Sequence, residues 1–521
     1  MSDSPILDLF VIGGGINGCG IARDAAGRGY SVALAEMNDL ASGTSSSSTK
    51  LFHGGLRYLE FFEFRLVREA LKEREVLLRA MPHISWPMRF VIPLHNEMRF
   101  ESDTPTSRLL SFVMPWMKGR RPDWLIRLGL FLYDNLGGRE ILPGTKRVDL
   151  VNSDLGKPLK SHLKKAFEYS DCWVEDSRLV VLNARDAQAR GAQIHVRTKV
   201  VSAVRDKTVW VVTLQDSKGE QFEVRARMLV NAGGPWVEDI IKQTVRLNTT
   251  EGVRLVRGSH IVTRRLYGHD KCYFFQGADG RIIFSIPYEE DFTLIGTTDA
   301  EHSDASEPPK CSEEEADYLR NFANQYFEDD LQPTDIVWTY SGVRPLYDDG
   351  ASSATAATRE YVLRVNESLG LPVLNVFGGK ITTYRKLAEA ALDLIDDTLG
   401  RETKAWTQGA AMPGGDFSVD GVETLQKALA QDLPFFEPKT IRRLIRQYGT
   451  EAQQIFAGAE SLEDLGQSFG AEVTEREIDW ARENEWVHTA EDFVWRRSKL
   501  GLRMSAEEVS ALDAYLAGRQ K

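Results

Sequence analysis

Residues 9–36, "LFVIGGGINGCGIARDAAGRGYSVALAE", leave this chain few ways to fold. Leu9 to Ile12 is an unbroken apolar run, the pattern of a strand buried on both faces of a parallel sheet. Gly13, Gly15 and Gly18 follow as G-x-G-x-x-G, and Ile21, Ala22, Ala25 and Ala26 then fall at helical spacing until Gly27 and Gly29 end the helix. Residues 31–35 read as a second strand, closed by Glu36. One glycine makes the tight turn, one lets backbone approach a pyrophosphate, and one lets the helix pack on the strand. The positive end of the helix then faces the phosphates. Glu36 is placed to accept hydrogen bonds from an adenosine ribose and disfavours a 2′-phosphate. A Rossmann-like dinucleotide domain is therefore expected, although this fingerprint serves NAD and FAD alike.

The next stretch decides between them. A nicotinamide dehydrogenase would continue into further alternating strands and helices, whereas this chain enters "SGTSSSSTKLFHGGLRYLE". Hydroxyls and glycines at that density suit a loop surrounding a large polar cofactor, with Gly54 and Gly55 admitting contact too close for a Cβ. A disordered linker is the competing reading, but Leu51 and Phe52 and the immediate onset of a helix leave it little room. The loop is expected to wrap a flavin.

Two later segments repeat the logic. "MLVNAGGPW" reads as a strand with a small-residue turn, Ala232-Gly233-Gly234, at its carboxyl end, where parallel sheets bind ligands. "LNVFGGKITTYRKLAEAAL" reads as a strand, Gly378-Gly379, and a helix beginning near Thr382, with Thr382 or Thr383 as N-cap. That helix end would stabilise negative charge on a reduced flavin. Arg57, Arg344 and Lys380 stand directly beside glycine turns. With a net charge of −12 over 521 residues, such local cations imply an anionic substrate, while the overall charge argues against a nucleic-acid partner.

In order, "GGGINGCGIARDAAGRG", "STKLFHGGLRYLE", "FEYSDCWVEDSRLV", "VNAGGPWV", "GSHIV", "IGTTD", "WTYSGVRPL" and "FGGKITTYRKLAE" resemble the FAD-dependent, quinone-linked glycerol-3-phosphate dehydrogenases. The resemblance implies an α/β chain (α+β overall). It would have an FAD domain of the D-amino-acid-oxidase/glutathione-reductase type, a mixed-sheet substrate-capping domain and a C-terminal all-helical domain. It implies hydride transfer from C2 of sn-glycerol 3-phosphate to FAD, with electrons passed to a membrane quinone. The cofactor contacts so nominated are Gly13, Gly15, Ile16, Asn17, Gly18 and Glu36; Thr44, Ser45, Ser48, Leu51, His53, Gly54 and Gly55; Ala232, Gly233 and Trp236; and Gly342, Gly379, Lys380, Ile381 and Thr382. Substrate contacts are Arg57, Tyr58, His260, Arg344 and Lys380, the last three also as catalytic groups. Tyr340 could add a hydroxyl. His260 is favoured as base or substrate orienter and His53 as the holder of the cofactor loop; a positioned base contributes about 10²- to 10⁴-fold.

The cofactor motifs place the FAD domain in residues 1–75, 175–245 and 340–400, the capping domain in 76–174 and 246–339, and the helical domain in 405–521. Cys19, Cys172, Cys272 and Cys311 show no metal-ligand or redox spacing and suit a reducing compartment, and no metal is expected. "MSDSPILD" carries no secretory signal and no run reaches the roughly 18 apolar residues of a span, so a cytoplasmic location is expected. Residues 99–121 look like an insertion relative to shorter bacterial relatives. Residues 109–138, with Trp116, Trp124, basic residues and large aliphatics, suit either a lipid interface at the inner face of the cell membrane or buried helices with a basic edge. An oxidase using O₂, a flavin-binding protein without turnover, and a homodimer all stay open.

Overall fold

The computed structural model describes residues 5–100, 104–113, 120–277, 280–348 and 360–519. Its first sheet has eight strands, five of them parallel in the order Val373–Phe377, Gln221–Asn231, Ile6–Ile12, Val32–Ala35, Gln193–His195. Val362–Asn366 adds an antiparallel edge, and the hairpin Lys199–Asp206 with Val209–Gln215 joins the first half of Gln221–Asn231. Alternation in the first strand sends Leu9 and Val11 into the core beneath the helices, and Phe10 and Ile12 into a second core with Trp210, Val212 and Leu214. That two-sided burial is what the unbroken apolar run demands. Helix Ile16–Gly27 packs against Asp176–Ala189 and Tyr384–Leu399.

Register does the functional positioning. Ile12 lies opposite both Ala35 and Asn231, and Asn231 opposite Asn375. The glycine turn after Ile12, Glu36 after Ala35, Ala232 after Asn231 and the turn Gly378-Gly379 therefore leave the sheet at one edge.

The second sheet, of ten strands, is mixed. Val253–Arg264 runs antiparallel to Phe292–Gly296 on one side and to Ile336–Tyr347 on the other, while Ser85–Pro93 runs antiparallel to Lys165–Val174 and parallel to Cys272–Gln276. Leu51–Phe52, directly after the serine loop, pairs with Trp173 and Cys172 of this sheet. The boundary expected at residue 340 falls inside the strand Ile336–Tyr347, which pairs with Val253–Arg264 of the second sheet along its length and crosses from that sheet's core at Tyr340 to the first sheet's core at Tyr347. Beyond residue 421 come the helices Val422–Asp432, Pro438–Tyr448, Glu475–Glu485 and Ala506–Gly518, with two apolar cores of their own. They meet the rest across buried ion pairs, among them Arg178 with Glu485 and Arg497 with Asp39 at 2.7 Å.

Candidate active site

The dinucleotide end is built as the glycines require. Gly13 has φ +110°, and a Cβ there would lie 2.6 Å from the Ala232 carbonyl oxygen; one on Gly18 would lie 2.0 Å from that of Gly13. The helix N-terminus at Gly15 has no side-chain cap of its own, and Ser45 Oγ accepts from the Ile16 amide at 3.0 Å. Glu36 holds the turn: its two oxygens accept from Gly14 N at 2.7 Å and Asn38 N at 2.8 Å, while burial pushes its carboxyl upward. Asn17 donates to Gly378 O at 3.0 Å and leaves a buried Oδ1 with no protein partner. Gly379, at φ +101°, sits against Asn17 and Leu387. The fingerprint and the pair Gly378-Gly379 are thus parts of one seat.

The serine loop is a 3₁₀ turn, Thr44–Ser46, followed by irregular chain. Thr44 Oγ1 donates to Val343 O at 2.5 Å, and a Cβ on Gly342 would lie 2.7 Å from Ser47 Cβ, so the loop lies flat on the crossing strand. Beneath it is a pair that sequence reasoning missed. Lys50 and Asp176 are fully buried; Lys50 Nζ donates to Asp176 at 2.8 Å and to Ser46 O at 3.0 Å, and Asp176 also accepts from Ser48 N and Oγ. Asp176 stands in a quoted motif, but nothing in its spacing marks it as the post under a loop more than a hundred residues away.

The glycines after His53 are crowded by protein: a Cβ on Gly54 would strike Leu71 at 2.5 Å and Tyr133 at 2.8 Å, and one on Gly55 would strike Tyr58 at 2.3 Å. One expectation is corrected here. Neither Thr382 nor Thr383 caps a helix with its side chain. Ile381–Thr383 is a 3₁₀ turn, the helix starts at Tyr384, and Thr382 Oγ1 accepts instead from His53 N at 3.3 Å.

A cavity of about 550 Å³ joins these parts, a size suited to a flat ring system with a small substrate. Its walls include Thr44, Ser48, Leu51, His53, Gly55, Gly342, Gly379, Ile381 and Thr382, and all five residues expected to meet substrate: Arg57, Tyr58, His260, Arg344 and Lys380. Trp236 packs instead behind Gly43, with ring carbons 3.3 Å from where a Cβ would stand. Arg281, which stands in no motif, adds a fourth cation to the walls. Glu63, Asp171, Asp299 and Glu360 line the cavity too. Asp171 is paired with Arg74 and Glu360 with Arg65, neither of them in the walls. Arg344 is held by Asp299 and by Thr297 Oγ1 at 3.1 Å, and Lys380 Nζ stands 3.7 Å from the centre of the Tyr58 ring.

The histidines differ in freedom. His260 is buried, its ring stacked on Tyr340 at 4.6 Å; Nε2 shares a hydrogen bond with Thr49 Oγ1 at 2.9 Å, and Nδ1 is enclosed without a partner. Burial, with Arg344 and Lys50 adding, pushes it well below its ordinary value. His53 faces the cavity with no hydrogen bond to its ring among the described residues. Burial, then Lys380 and Arg74, pushes it down to about 4, so it is a neutral imidazole at physiological pH.

Residues 8–385 match the model of the FAD dependent oxidoreductase family, and residues 405–517 that of the C-terminal domain of alpha-glycerophosphate oxidase. The chain is 47% identical over 512 residues to D-erythritol 1-phosphate dehydrogenase of Brucella abortus, covering 98% of each. It is 46% identical over 512 residues to glycerol-3-phosphate dehydrogenase of Pseudomonas aeruginosa, covering 98% of this chain and 95% of that one. Among solved structures, glycerol-3-phosphate dehydrogenase from Bacillus halodurans complexed with FAD superimposes with a TM-score of 0.71 at 25% identity, over 98% of this chain and 94% of that one.

Proposed function

This chain belongs to the FAD-dependent glycerol-3-phosphate dehydrogenase family, and from that membership we propose that it oxidises sn-glycerol 3-phosphate to dihydroxyacetone phosphate and passes the electrons to a membrane quinone. FAD is its cofactor and a phosphorylated polyol its class of substrate. The observation that carries the reading is the convergence of Arg57, Arg344, Lys380 and a neutral His53 on one cavity wall system beside the glycine turns.

Bound FAD supplies the two-electron acceptor for the hydride of the alcohol carbon. The protein's part is to bind, orient and take the proton. Arg57, Arg344 and Lys380 hold the phosphate; Arg presents a planar fork and Lys a compact charge. His53 accepts the hydroxyl proton, so that loss of hydride from carbon and proton from oxygen leaves a ketone. His260, tied to Thr49 and Tyr340, shapes the wall and orients the alcohol rather than taking its proton. The deciding experiment is anaerobic: the yellow protein is mixed with sn-glycerol 3-phosphate, then with a quinone analogue or air. Bleaching followed by recovery with quinone is expected; recovery with air and peroxide instead would make it an oxidase. Colour that persists with every polyol phosphate would end the proposal.

A second reading has its own support. The relative at 47% identity is a D-erythritol 1-phosphate dehydrogenase, so the four-carbon polyol phosphate is the competing substrate. Bleaching by D-erythritol 1-phosphate at a tenfold higher kcat/KM than by glycerol 3-phosphate would select it.

Attachment to the inner face of a membrane is part of the proposal. No helix among the described residues is long and apolar enough to cross one. Helix Asp123–Leu136 buries Ile126, Leu130 and Tyr133 but exposes Trp124, Leu128 and Phe131, the last 62% exposed. Helix Pro105–Val113 exposes Leu109 and Phe112, the latter 87%. Arg108 and Arg127 are exposed among them, the composition of a segment resting at a lipid interface. Thr106 Oγ1 donates to Glu60 O at 2.8 Å, which joins this patch to the turn Leu56–Phe61 on the cavity wall. Trp116 and part of the segment 99–121 lie outside the described residues. A variant with Trp124, Leu128 and Phe131 all changed to Ala should stay in the supernatant when mixed with anionic vesicles; undiminished co-sedimentation would remove the patch as anchor.

A further inference from the structure

The amide of Gly54, one residue beyond His53, is not satisfied within its own loop. It donates to Tyr133 Oη at 2.7 Å. An amide can only donate, so the hydroxyl must accept there and spend its single hydrogen elsewhere. That hydrogen goes to Asp171, whose oxygens lie 2.7 and 3.0 Å away. Asp171 accepts it, and Arg74 Nη1 at 2.6 Å places a positive charge beside it, itself fixed by a bond to Ser170 O at 2.7 Å; burial pushes the Asp171 carboxyl up to about 6. Arg74, Asp171 and Tyr133 are each at most 4% exposed by side chain or residue. The Gly54 amide and the Arg74 guanidinium can only donate, which turns the Tyr133 hydrogen toward Asp171.

Packing agrees with the hydrogen bonds. Tyr133 meets Tyr169 edge-on at 5.7 Å, Arg74 lies 5.6 Å from its ring centre, and a Cβ at Gly54 would lie 2.8 Å from its Cε2. The turn His53-Gly54-Gly55 is therefore pressed against the ring and pinned by its oxygen at the same point. Both flanking residues, His53 and Gly55, and Asp171 itself, line the cavity.

We propose that Tyr133, with Asp171 and Arg74 fixing its hydroxyl, is a positioning residue that sets the height of the His53-Gly54-Gly55 turn in the cavity wall, and with it the reach of the His53 imidazole. The assignment of a proton to His53 rests on the reading above; the pinning of the turn does not. Displacing a reacting group by about 1 Å costs on the order of 10²-fold in rate.

The test uses the full-length FAD-bound protein and Tyr133→Phe, which keeps the ring and removes one oxygen. At full flavin occupancy kcat should fall about 10- to 100-fold with KM for the polyol phosphate within twofold. The visible flavin band should shift, and the Gly54 amide should exchange with deuterium at least tenfold faster than in the unaltered protein. Asp171→Asn should reproduce the loss, and the double variant should be no worse than either single one. Wild-type kcat, an unmoved flavin band and unchanged Gly54 exchange in Tyr133→Phe would overturn the proposal. Should that variant not fold, Gly54 exchange in the unaltered protein decides: slow exchange upholds the pin and unstructured-peptide rates refute it. Absence of turnover in the unaltered protein would count against the substrate reading alone, because the spectrum and the exchange rates still report on the turn.

Discussion

At the scale of single residues, acid–base behaviour separates the two histidines. His53 sits near 4, so kcat at saturating substrate should hold from pH 8 down to about 5 and fall only below that, as His53 gains a proton; an acid limb of kcat centred on 6.5 would exclude it as the proton acceptor. His53→Gln should reduce kcat by about 10²- to 10⁴-fold while FAD stays bound. For the cations the loss should be one of binding: Lys380→Met removes a charge-assisted contact of about 1.5–3 kcal/mol and should raise KM by roughly 10- to 100-fold, measured by steady-state kinetics. Lys380, Arg57 and Arg344 were legible in the sequence because each follows a glycine within a stretch that resembles the family, although Gly342 proves to lie inside a strand. Arg281 was not, since it follows Gly280 in a turn outside all of those stretches. Lys50, Asp171 and Tyr133 escaped for the same physical reason: their partners are brought close only by the sheets, and no local spacing encodes that.

Among the elements, close approaches between backbones carry the clearest consequences. A methyl group on Gly18 would sit 2.0 Å from the Gly13 carbonyl oxygen, so Gly18→Ala should yield protein that purifies without flavin colour. Gly342→Ala acts from the other side, pushing Ser47 and the serine loop off the crossing strand; about a tenfold or greater weakening of FAD binding is expected by fluorescence titration. The strand–turn–helix–strand unit could be read from residues 9–36 because periodicity and glycines are local signals. The crossing strand Ile336–Tyr347 could not, because its two halves serve different lobes and its apolar pattern says nothing about which. The cap of helix Tyr384–Leu399 was misread for a related reason: threonines beside a helix start prefer an N-cap role, but Thr382 is taken up by the His53 amide.

On the level of the whole molecule, buried charge joins the helical domain to the rest. Arg178 is 3% exposed and its partner Glu485 is fully buried, so Arg178→Met leaves that carboxylate only the more distant Arg185, at 3.7 Å, and should destabilise by up to about 3–5 kcal/mol in denaturant unfolding. His83 adds a pH term at the same junction. Among the described residues neither of its ring nitrogens has a partner, and burial, with Arg178 and Arg446 adding, pushes it well below its ordinary value; burial lowers His260 likewise, although its Nε2 bonds to Thr49. The unfolded chain takes up these protons near pH 6.5 and the folded one does not. Stability is therefore complete above 6.5 and is lost as pH falls below it, by about 1.4 kcal/mol per pH unit for each group. His83→Phe should flatten that slope in thermal melts between pH 6.5 and 5.

Asp39, three positions after Glu36, is satisfied by Arg496 and by Arg497, 458 residues further along. During translation, at roughly 5–20 residues per second, Asp39 leaves the ribosome long before either guanidinium exists. A nascent chain arrested before residue 496 should bind the flavin poorly and be cut readily by protease near Asp39, whereas the released chain should resist.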